Sequence, residues 1–204
     1  MERDQRVRVI HGHAADSESC DVPVPVPVPV RGAEVRLNGP VPSMSRSRYA
    51  GVLARHDDKV VLVYEEYPRW GGPYWNIPSG RIEDHETPFE GACRELAEEA
   101  GLVVATADLV LHGTAAVTGA VTVSRVWNFT VDVVDPTLHV RDPDGLVQEA
   151  RWFPVEEASR LLHELPYRPL SEPSVAVLTR QAQPGAHWAY SDPEAEPVVT
   201  YPNG

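Results

Sequence analysis

Hydrophobic residues follow two different spacings along the chain, and these spacings predict its helices and strands. Between residues 88 and 100 an apolar stripe recurs at helical spacing, and it consists of Phe89, Ala92, Cys93, Leu96, Ala97 and Ala100. Thr87, Pro88 and Glu90 give this helix a capping box at its start, and Gly101 is placed to end it. The pattern therefore predicts one well-defined amphipathic helix near the middle of the chain.

Strand-like runs flank this helix on both sides. Residues 49–55 and 59–66 read as two strands that a short polar turn joins, which suggests a hairpin. Further strands are predicted at 108–118, 121–134 and 150–153, and further helices at 154–165 and 174–181. This order of elements fits an α/β fold in which a mixed sheet lies between helices.

Proline-rich and acidic segments mark the limits of the predicted domain. Residues 22–30 alternate Val and Pro, which favours an extended polyproline II segment. A stiff linker is favoured there over a binding site for a partner's aromatic groove. We expect a flexible Pro-rich arm over residues 1–46, an ordered domain over residues 47–183 and a flexible acidic tail over residues 184–204.

Composition narrows the classes of partner. The chain has 204 residues and a net charge of −12, which makes it a poor binder of nucleic-acid backbone. No apolar run approaches the roughly 20 residues of a membrane-spanning helix, and the charged first residues do not resemble a secretory signal. The two cysteines do not make a disulfide framework. We therefore expect a cytoplasmic protein with a small-molecule partner and no nucleic-acid or membrane partner.

Three glutamates gather on a second face of the central predicted helix. Glu95, Glu98 and Glu99 stand at positions i, i+3 and i+4, where like charges repel by roughly a few tenths of a kcal/mol per pair. A cluster of oxygen ligands suits a divalent cation such as Mg²⁺, which would turn that repulsion into attraction. Arg94 lies four residues before Glu98 and can hold a carboxylate in place from within the helix.

The segment from residue 80 to residue 102 resembles the complete box of the Nudix hydrolases. Its fixed positions are Gly80, Glu86, Arg94, Glu95, Leu96, Glu98, Glu99, Gly101 and Leu102. Because many constrained positions agree at fixed spacing, the resemblance is specific. It implies a Nudix-type α/β/α sandwich with a mixed β-sheet between helices.

The resemblance also implies an activity and a metal site. It implies a metal-dependent hydrolase that cleaves the diphosphate linkage of a nucleoside diphosphate joined to another moiety and releases a nucleoside monophosphate. Mg²⁺, or Mn²⁺, is expected to bind to Glu95, Glu98 and Glu99, with the carbonyl group of Ser79 as a further ligand. Glu99 is expected to be an exposed ligand rather than a core residue.

Roles for the remaining site residues follow from the resemblance and from their chemistry. Glu86 and Arg94 are expected to orient the metal-binding carboxylates, and Arg94 is grouped with the catalytic residues for that reason. Glu98 is the first candidate for the general base, and Glu149 is the second. Residues 135–147, rich in Asp, Pro and Gly, are predicted to form a late loop, and two of its acids, Asp142 and Asp144, stay open for that role.

Substrate contacts are predicted just before and inside the box. Arg69 and Arg81 are candidates to bind phosphate, because a guanidinium group suits its bidentate geometry. Trp70 belongs to a cluster of aromatic residues that could stack on a nucleobase. Gly80 would let the backbone approach the metal closely. The usual subclass markers downstream of the box are absent, so a nucleotide sugar, an ADP-ribose-like metabolite and a nucleoside triphosphate all stay open.

Two alternatives to an active hydrolase remain. One is a catalytically silent Nudix-fold module that senses a nucleotide, although such a module would usually show a damaged box. The other is an interaction protein in which the Pro-rich arm carries the function. A homodimer also stays open.

Overall fold

Nine strands and three helices build the part of the chain that the computed structural model describes, residues 45–67, 70–119 and 122–202. The strands are β1 (Ser45–His56), β2 (Lys59–Tyr67), β3 (Gly72–Asn76), β4 (Ser79–Arg81), β5 (Val110–Thr118), β6 (Thr122–Asp132), β7 (Val147–Pro154), β8 (Ala186–Tyr190) and β9 (Val198–Thr200). The helices are α1 (Pro88–Ala100), α2 (Val155–Glu164) and α3 (Arg168–Leu178). Among the described residues, no helix is long and apolar enough to cross a membrane.

All nine strands belong to one mixed sheet, with β1 near its centre. The order of strands is β3-β2-β1-β6-β5-β8-β9, while β4 pairs with β1 and β7 pairs with β2. β1 runs parallel to β6 along almost its whole length. It pairs with β2 only at the turn, through Arg55 with Val60 and His56 with Lys59. The predicted hairpin is therefore present but short, because β4 takes the place beside β1 where β2 diverges.

The two faces of the sheet carry separate apolar cores. Ala50, Val52 and Phe129 pack with the stripe of α1 on one face. Leu53 and Leu62 pack with residues of α2 and α3 on the other face. Successive side chains of a strand point to opposite faces, so β1 supplies both cores. This arrangement confirms the predicted α/β/α sandwich with a mixed sheet between helices.

The ends of α1 match their prediction from sequence. The Thr87 hydroxyl accepts from the Glu90 amide at 3.2 Å, and the Glu90 carboxylate accepts from the Thr87 amide at 2.8 Å. Gly101 ends the helix in the left-handed region with φ of 77°. The amides of His139 and Arg141 donate to the carbonyl groups of residues 100 and 98, so the loop after β6 runs along the end of the helix.

The C-terminal segment corrects the prediction of a flexible tail over residues 184–204. β8 pairs in parallel with β5, and β9 pairs with β8, so residues 186–200 extend the sheet. Trp188 and Tyr190 are only 4% and 2% exposed. Together with Ala186 they occupy every second position, on the face that α3 covers. This is strand spacing in a segment whose prolines suggested a tail. Residues 1–44 of the predicted Pro-rich arm lie outside the described residues. The last two residues of that arm, 45 and 46, belong to β1.

Two short strands occupy a stretch for which no strand was predicted, because its Gly and Pro residues suggest irregular structure. β3 lies between the hairpin and the box, and β4 includes Gly80, where the box begins. The third helix begins at Arg168, before the predicted start at residue 174, because two proline residues within it obscured the pattern. The segment between β6 and β7 is free of helix and strand, as predicted.

Candidate active site

Arg94 is the centre of a network that ties the box loop to α1. Its Nε and Nη2 atoms donate to the two carboxylate oxygens of Glu86 at 2.8 and 3.0 Å. Its Nη1 atom donates to Glu95 at 2.8 Å and to Glu98 at 3.1 Å, and Nη2 also donates to the carbonyl group of Arg81 at 2.8 Å. The hydrogen bonds from Arg94 lower the pKa of Glu86 to about 2. The structure therefore gives Glu86 and Arg94 the contacts that their predicted orienting role requires.

Glu95 lies beneath Gly80 and is only 8% exposed. A Cβ atom at Gly80 would overlap the carboxyl group of Glu95, so the absence of a side chain at this position makes room for the carboxylate. Burial raises the pKa of Glu95 to about 7, and the charges of Glu98 and Glu86 act in the same direction against Arg94. The carboxylate thus sits in an environment that disfavours its charged form.

Glu99 is buried, which corrects the expectation that it is an exposed ligand. It is 6% exposed, because its face of α1 packs against β2 and β4 rather than facing solvent. Its Oε2 atom accepts from the amide of Ser79 at 2.8 Å. Burial raises its pKa well above the usual value, and the charges of Glu65, Glu95 and Asp142 add to that effect.

Glu65 on β2 joins this cluster, and sequence reasoning missed it. It is 6% exposed and accepts from the Asn76 amide group at 3.1 Å, while the same amide nitrogen lies 3.3 Å from the hydroxyl of Ser79. Burial raises the pKa of Glu65 as well. The available clue was its position in phase with Val61 and Val63, since a charged residue at an inward position of a strand needs a reason.

Asp142 is the acid of the late loop that the structure brings to the carboxylates. Its Oδ2 atom accepts from the amides of residues 146 and 147 at 2.6 and 2.9 Å, which fixes the loop before β7. Its charge helps to raise the pKa values of Glu65 and Glu99, so it lies within electrostatic reach of both. Asp144 is exposed, and its contact with Asp142 is through its backbone amide.

Glu149, the second candidate for the general base, lies on the other face of the sheet. It pairs across β7 and β2 with Tyr64, so its side chain points to the side opposite Glu65. There it accepts from Arg151 at 2.9 Å, and the Arg151 guanidinium lies 5.4 Å from the centre of the Trp75 ring. The structure therefore does not bring Glu149 to the carboxylates of α1. Strand alternation alone could not reveal this, because the register with β2 decides which face it occupies.

Trp70 stands in an aromatic cluster next to the carboxylate face. Its ring centre lies 5.2 Å from that of Tyr67 and 6.4 Å from that of Tyr74. Tyr74 pairs directly with Glu65 across β3 and β2, which places the two side chains on the same face. A planar group bound near Glu65 could therefore reach this cluster. Arg69 lies outside the described residues.

Arg81 occupies a different position from the one expected. Gly80 faces the carboxyl group of Glu95, so alternation along β4 turns the exposed Arg81 side chain toward the other side of the strand. The carbonyl group of Arg81, rather than its side chain, joins the network of Arg94.

The donor set fits a divalent cation. Glu65, Glu95 and Glu99 are three carboxylates with little exposure to water, and burial of unpaired negative charge is costly. Arg94, the amide of Ser79 and the side-chain amide of Asn76 donate to one oxygen each of Glu95, Glu99 and Glu65. The remaining carboxylate oxygens are hard ligands of the kind that Mg²⁺ and Mn²⁺ prefer.

A second, exposed group of potential ligands precedes α1 and fits a metal less well. One ligand atom each of Glu83, His85 and Glu86 lies within 4.8 Å of the other two, a spacing that the buried carboxylates do not reach among the described residues. Both carboxylate oxygens of Glu86, however, already accept from Arg94, and one also accepts from the Glu83 amide at 2.9 Å. These contacts hold the box loop together, so the buried carboxylates are the better candidate for a metal site.

Comparison with known proteins agrees with this geometry. A family model for the NUDIX domain matches residues 45–173, more than half of the chain. The protein therefore belongs to the NUDIX family, as the resemblance of the box predicted. The chain is 34% identical over 61 residues to an 8-oxo-dGTP diphosphatase of Proteus vulgaris, covering 30% of this chain and 54% of that protein. It is 31% identical over 115 residues to an oxidized purine nucleoside triphosphate hydrolase of Mus musculus, covering 56% and 70%.

Solved structures show the same fold. The chain superposes on a NUDIX hydrolase from Nitrosomonas europaea with a TM-score of 0.57 and 24% identity, covering 69% of this chain and 93% of that one. Among the first curated relatives, the matched segments cover between 20% and 54% of the relative's own length.

Proposed function

We propose that this protein is a metal-dependent hydrolase that cleaves the diphosphate linkage of a nucleoside diphosphate joined to another moiety. The observation that carries this proposal is the group of buried carboxylates, Glu65, Glu95 and Glu99, beside the complete box of a NUDIX family member. A structural role explains them poorly, because buried carboxylates without full compensation destabilise a fold. A cation bound at this place would compensate their negative charge.

Each residue of the site has a role in this proposal. Glu95, Glu98 and Glu99 would hold Mg²⁺ or Mn²⁺, with the carbonyl group of Ser79 and the carboxylate of Glu65 as further ligands. The bound cation would neutralise charge on the phosphate oxygens and lower the pKa of a bound water. The reaction adds water to one phosphorus atom and breaks the bond from that phosphorus to the bridging oxygen. The products are a nucleoside monophosphate and the phosphate compound that retains the bridging oxygen.

Glu98 is the preferred general base. Its side chain is 32% exposed, so it is more accessible than Glu95 and Glu99. Arg94 donates to one of its carboxylate oxygens, which fixes the side chain and leaves the other oxygen for a water molecule. Asp142 replaces Glu149 as the second candidate, because it lies on the side of the carboxylates. In either case the base accepts the proton that the attacking water loses.

The names of the relatives order the candidate substrates. The relatives from Proteus vulgaris and Mus musculus are named for nucleoside triphosphates with an oxidised purine. Oxidised and ordinary purine nucleoside triphosphates therefore come first, followed by nucleotide sugars and ADP-ribose-like metabolites. The aromatic cluster of Trp70, Tyr67 and Tyr74 supports a substrate with a planar base.

The test is product identification with a panel of these nucleotides in Mg²⁺ or Mn²⁺. We expect metal-dependent release of a nucleoside monophosphate by the wild-type protein and a loss of about 100-fold or more in Glu98→Gln, the range that general-base removal produces. Glu157→Gln is the matched control, because Glu157 is an exposed glutamate of α2, away from the site. Its turnover should equal that of the wild type.

The outcome also separates the proposal from its alternative. Nucleotide binding that requires metal but yields no product from any member of the panel would support a nucleotide-sensing module instead. Turnover that survives unchanged in Glu98→Gln but falls in Asp142→Asn would keep the hydrolase and move the general base to the late loop.

A further inference from the structure

A second cleft opens at the far end of β1, away from the carboxylates. It has a volume of about 740 Å³, within the usual range for small-molecule sites. Residues from the β1–β2 turn, β5, the start of α2 and the end of α3 line it. Gly51 lies where β1 pairs with β4. Arg55 is four residues further along β1, which is about 13 Å away at about 3.3 Å per residue. The cleft is thus a separate place on the molecule.

Two buried nitrogen atoms, which belong to residues that line this cleft, have no partner among the described residues. They are Nε of Arg55 and Nε2 of His112, and both side chains line the cleft. A buried donor without an acceptor destabilises the folded state, so native proteins seldom leave two of them in one region. Burial lowers the pKa of His112, and the positive charge of Arg55 lowers it further. An acceptor bound between them would relieve both costs.

The walls of the cleft suit the same kind of ligand. α2 begins here, and its first residue follows Pro154, which offers no side-chain cap to the first amides of the helix. The positive end of a helix dipole favours negative charge nearby. Val177, Leu178 and Ala182 add an apolar wall beside these groups. The cleft thus combines donors with room for an apolar body.

The rim carries charges of both signs. Its acids are Asp57, Asp58 and Glu156, and its bases are Lys59 and Arg180; all five are exposed. Exposed charges are screened by water and salt, so these five groups roughly offset one another. Asp57 also lies 3.7 Å from the imidazole of His56. The deeper groups, Arg55 and His112, therefore set the sign of the charge that the cleft prefers.

We propose that this cleft binds a small organic anion whose carboxylate or phosphate group lies between Arg55 and His112. Both side chains turn toward the ligand, because neither nitrogen atom is accessible from the empty cleft. Arg55 then donates from Nε, and His112 donates from Nε2 in its protonated form, which the backbone of Ala182 favours. The apolar remainder of the ligand lies against the wall formed by α3. The site is independent of the metal and of the nucleotide.

Protonation of His112 gives the proposal a pH signature. His112 must take up a proton to donate from both ring nitrogens, so binding of an anion raises its pKa. By linkage, the ligand binds more tightly when the pH falls, by up to tenfold for each unit that the pKa rises. The charged groups that face His112 are Arg55 on β1 and the rim residues named above. Of these side chains, His112 is the one whose ordinary pKa lies between 6 and 8.

The experiment uses the full chain with butyrate, acetate and inorganic phosphate as probes. Binding is measured by calorimetry at constant ionic strength, and the protonation of His112 is followed by NMR of its imidazole. Butyrate and acetate serve at pH 6 and pH 8, because neither titrates in that range. We expect saturable butyrate binding that is tighter at pH 6, and weaker acetate binding by about fourfold for each methylene that the wall buries. Comparison of inorganic phosphate with the two carboxylates shows which head group the site prefers.

Variants decide whether the cleft is responsible. Arg55→Gln and His112→Gln should each abolish saturable butyrate binding, and His112→Gln should also remove the difference between pH 6 and pH 8. Arg125→Gln is the control, since Arg125 is an exposed arginine of β6 outside the cleft. If Arg55→Gln impairs folding, butyrate binding is measured with Arg55→Lys and His112→Gln instead.

Three outcomes would overturn the inference. They are the absence of saturable binding for every probe, binding that persists in both cleft variants, and an equal loss of binding in Arg125→Gln. Excess Mg²⁺ and nucleotide should leave butyrate affinity unchanged, and so should Glu98→Gln. Strong competition by either ligand would place the anion at the carboxylate site instead.

Discussion

The buried glutamates are costly residues in the protein without metal. Glu65, Glu95 and Glu99 are almost fully buried, and burial raises the pKa of each. Nearby negative charges add to this effect for all three. Under the proposed function, a bound cation offsets this cost and stabilises the folded state. Removing one of these charges while keeping the shape should therefore separate stability from activity.

Glu99→Gln is expected to abolish most activity and yet stabilise the metal-free protein. Its amide oxygen can still accept from the Ser79 amide, and the variant no longer repels Glu65. Activity should fall by about 100-fold or more, because a charged ligand is lost. Thermal unfolding in EDTA should show a melting temperature above that of the wild type at pH 8, and Mg²⁺ should raise that temperature less in the variant.

The stability of the metal-free protein should also depend on pH in a direction that the raised pKa values determine. A carboxyl group whose pKa is higher in the folded state stabilises the fold at low pH, and that contribution is lost as the pH rises. For Glu95 the loss spans the interval from about 4.5 to about 7. The metal-free wild type should therefore lose stability between pH 5 and pH 8, and Glu99→Gln should lose less. Equal losses in the two proteins, with Glu157→Gln as the control, would contradict this account.

At the scale of elements, the site depends on the close approach of β4 and α1. Gly80 lies so near Glu95 that any side chain would displace the carboxylate. Gly80→Ala should therefore move Glu95 and lower kcat by about 100-fold, the effect of a displacement of about 1 Å in a catalytic group. Steady-state kinetics with the substrate found in the panel would measure this change.

Gly72→Ala is the matched control for that substitution. Gly72 lies on β3, and a Cβ atom there would meet nothing within 4 Å. It removes a glycine from the neighbouring short strand without touching a carboxylate. If Gly80→Ala and Gly72→Ala lowered kcat equally, the close approach would not matter to the reaction.

The sequence predicted α1 and its carboxylates well because their information is local. The capping box, the apolar stripe and the spacing of Glu95, Glu98 and Glu99 all lie within a few helical turns. Glu65 and Asp142 reach the same place from β2 and from a late loop, and that depends on pairings between distant segments. The sequence pattern alone does not predict the strand pairing that brings these residues together.

The same reason explains which elements were missed. β3, β4, β8 and β9 are three to five residues long, so their own periodicity is weak, and each is defined by a neighbour elsewhere in the chain. Glu149 was misplaced because strand alternation leaves the choice of face open until the pairing with Tyr64 is known. Local patterns therefore predicted α/β architecture, while non-local pairing completed it.

At the scale of the whole molecule, the C-terminal segment is part of the domain. Truncation after residue 183 removes β8 and with it Trp188, whose loss alone corresponds to about 3–5 kcal/mol. That is a large share of the roughly 5–15 kcal/mol that stabilises a typical domain. We expect the truncated chain to lose its cooperative unfolding transition in urea, because β5 and α3 lose their apolar partner.

Truncation after residue 191 is the control for that experiment. It removes β9, whose residues are all exposed, and keeps the pairing of β8 with β5. Its unfolding free energy should stay within about 2 kcal/mol of the full chain, because a change at one exposed position usually alters stability by no more than about 0.5 kcal/mol. Two truncated chains of equal stability would show that β8 contributes little.

The parallel pairing of β1 with β6 also has a consequence for biosynthesis. When the ribosome has translated residue 121, it has produced the central strand and the box helix, but not the strand that runs along almost all of β1. Until then the apolar stripe of α1 lacks Phe129 and Val131, which complete its core. The nascent chain therefore carries an unpaired edge and an uncovered helix face while it waits, and a chaperone has its best opportunity to bind in this interval.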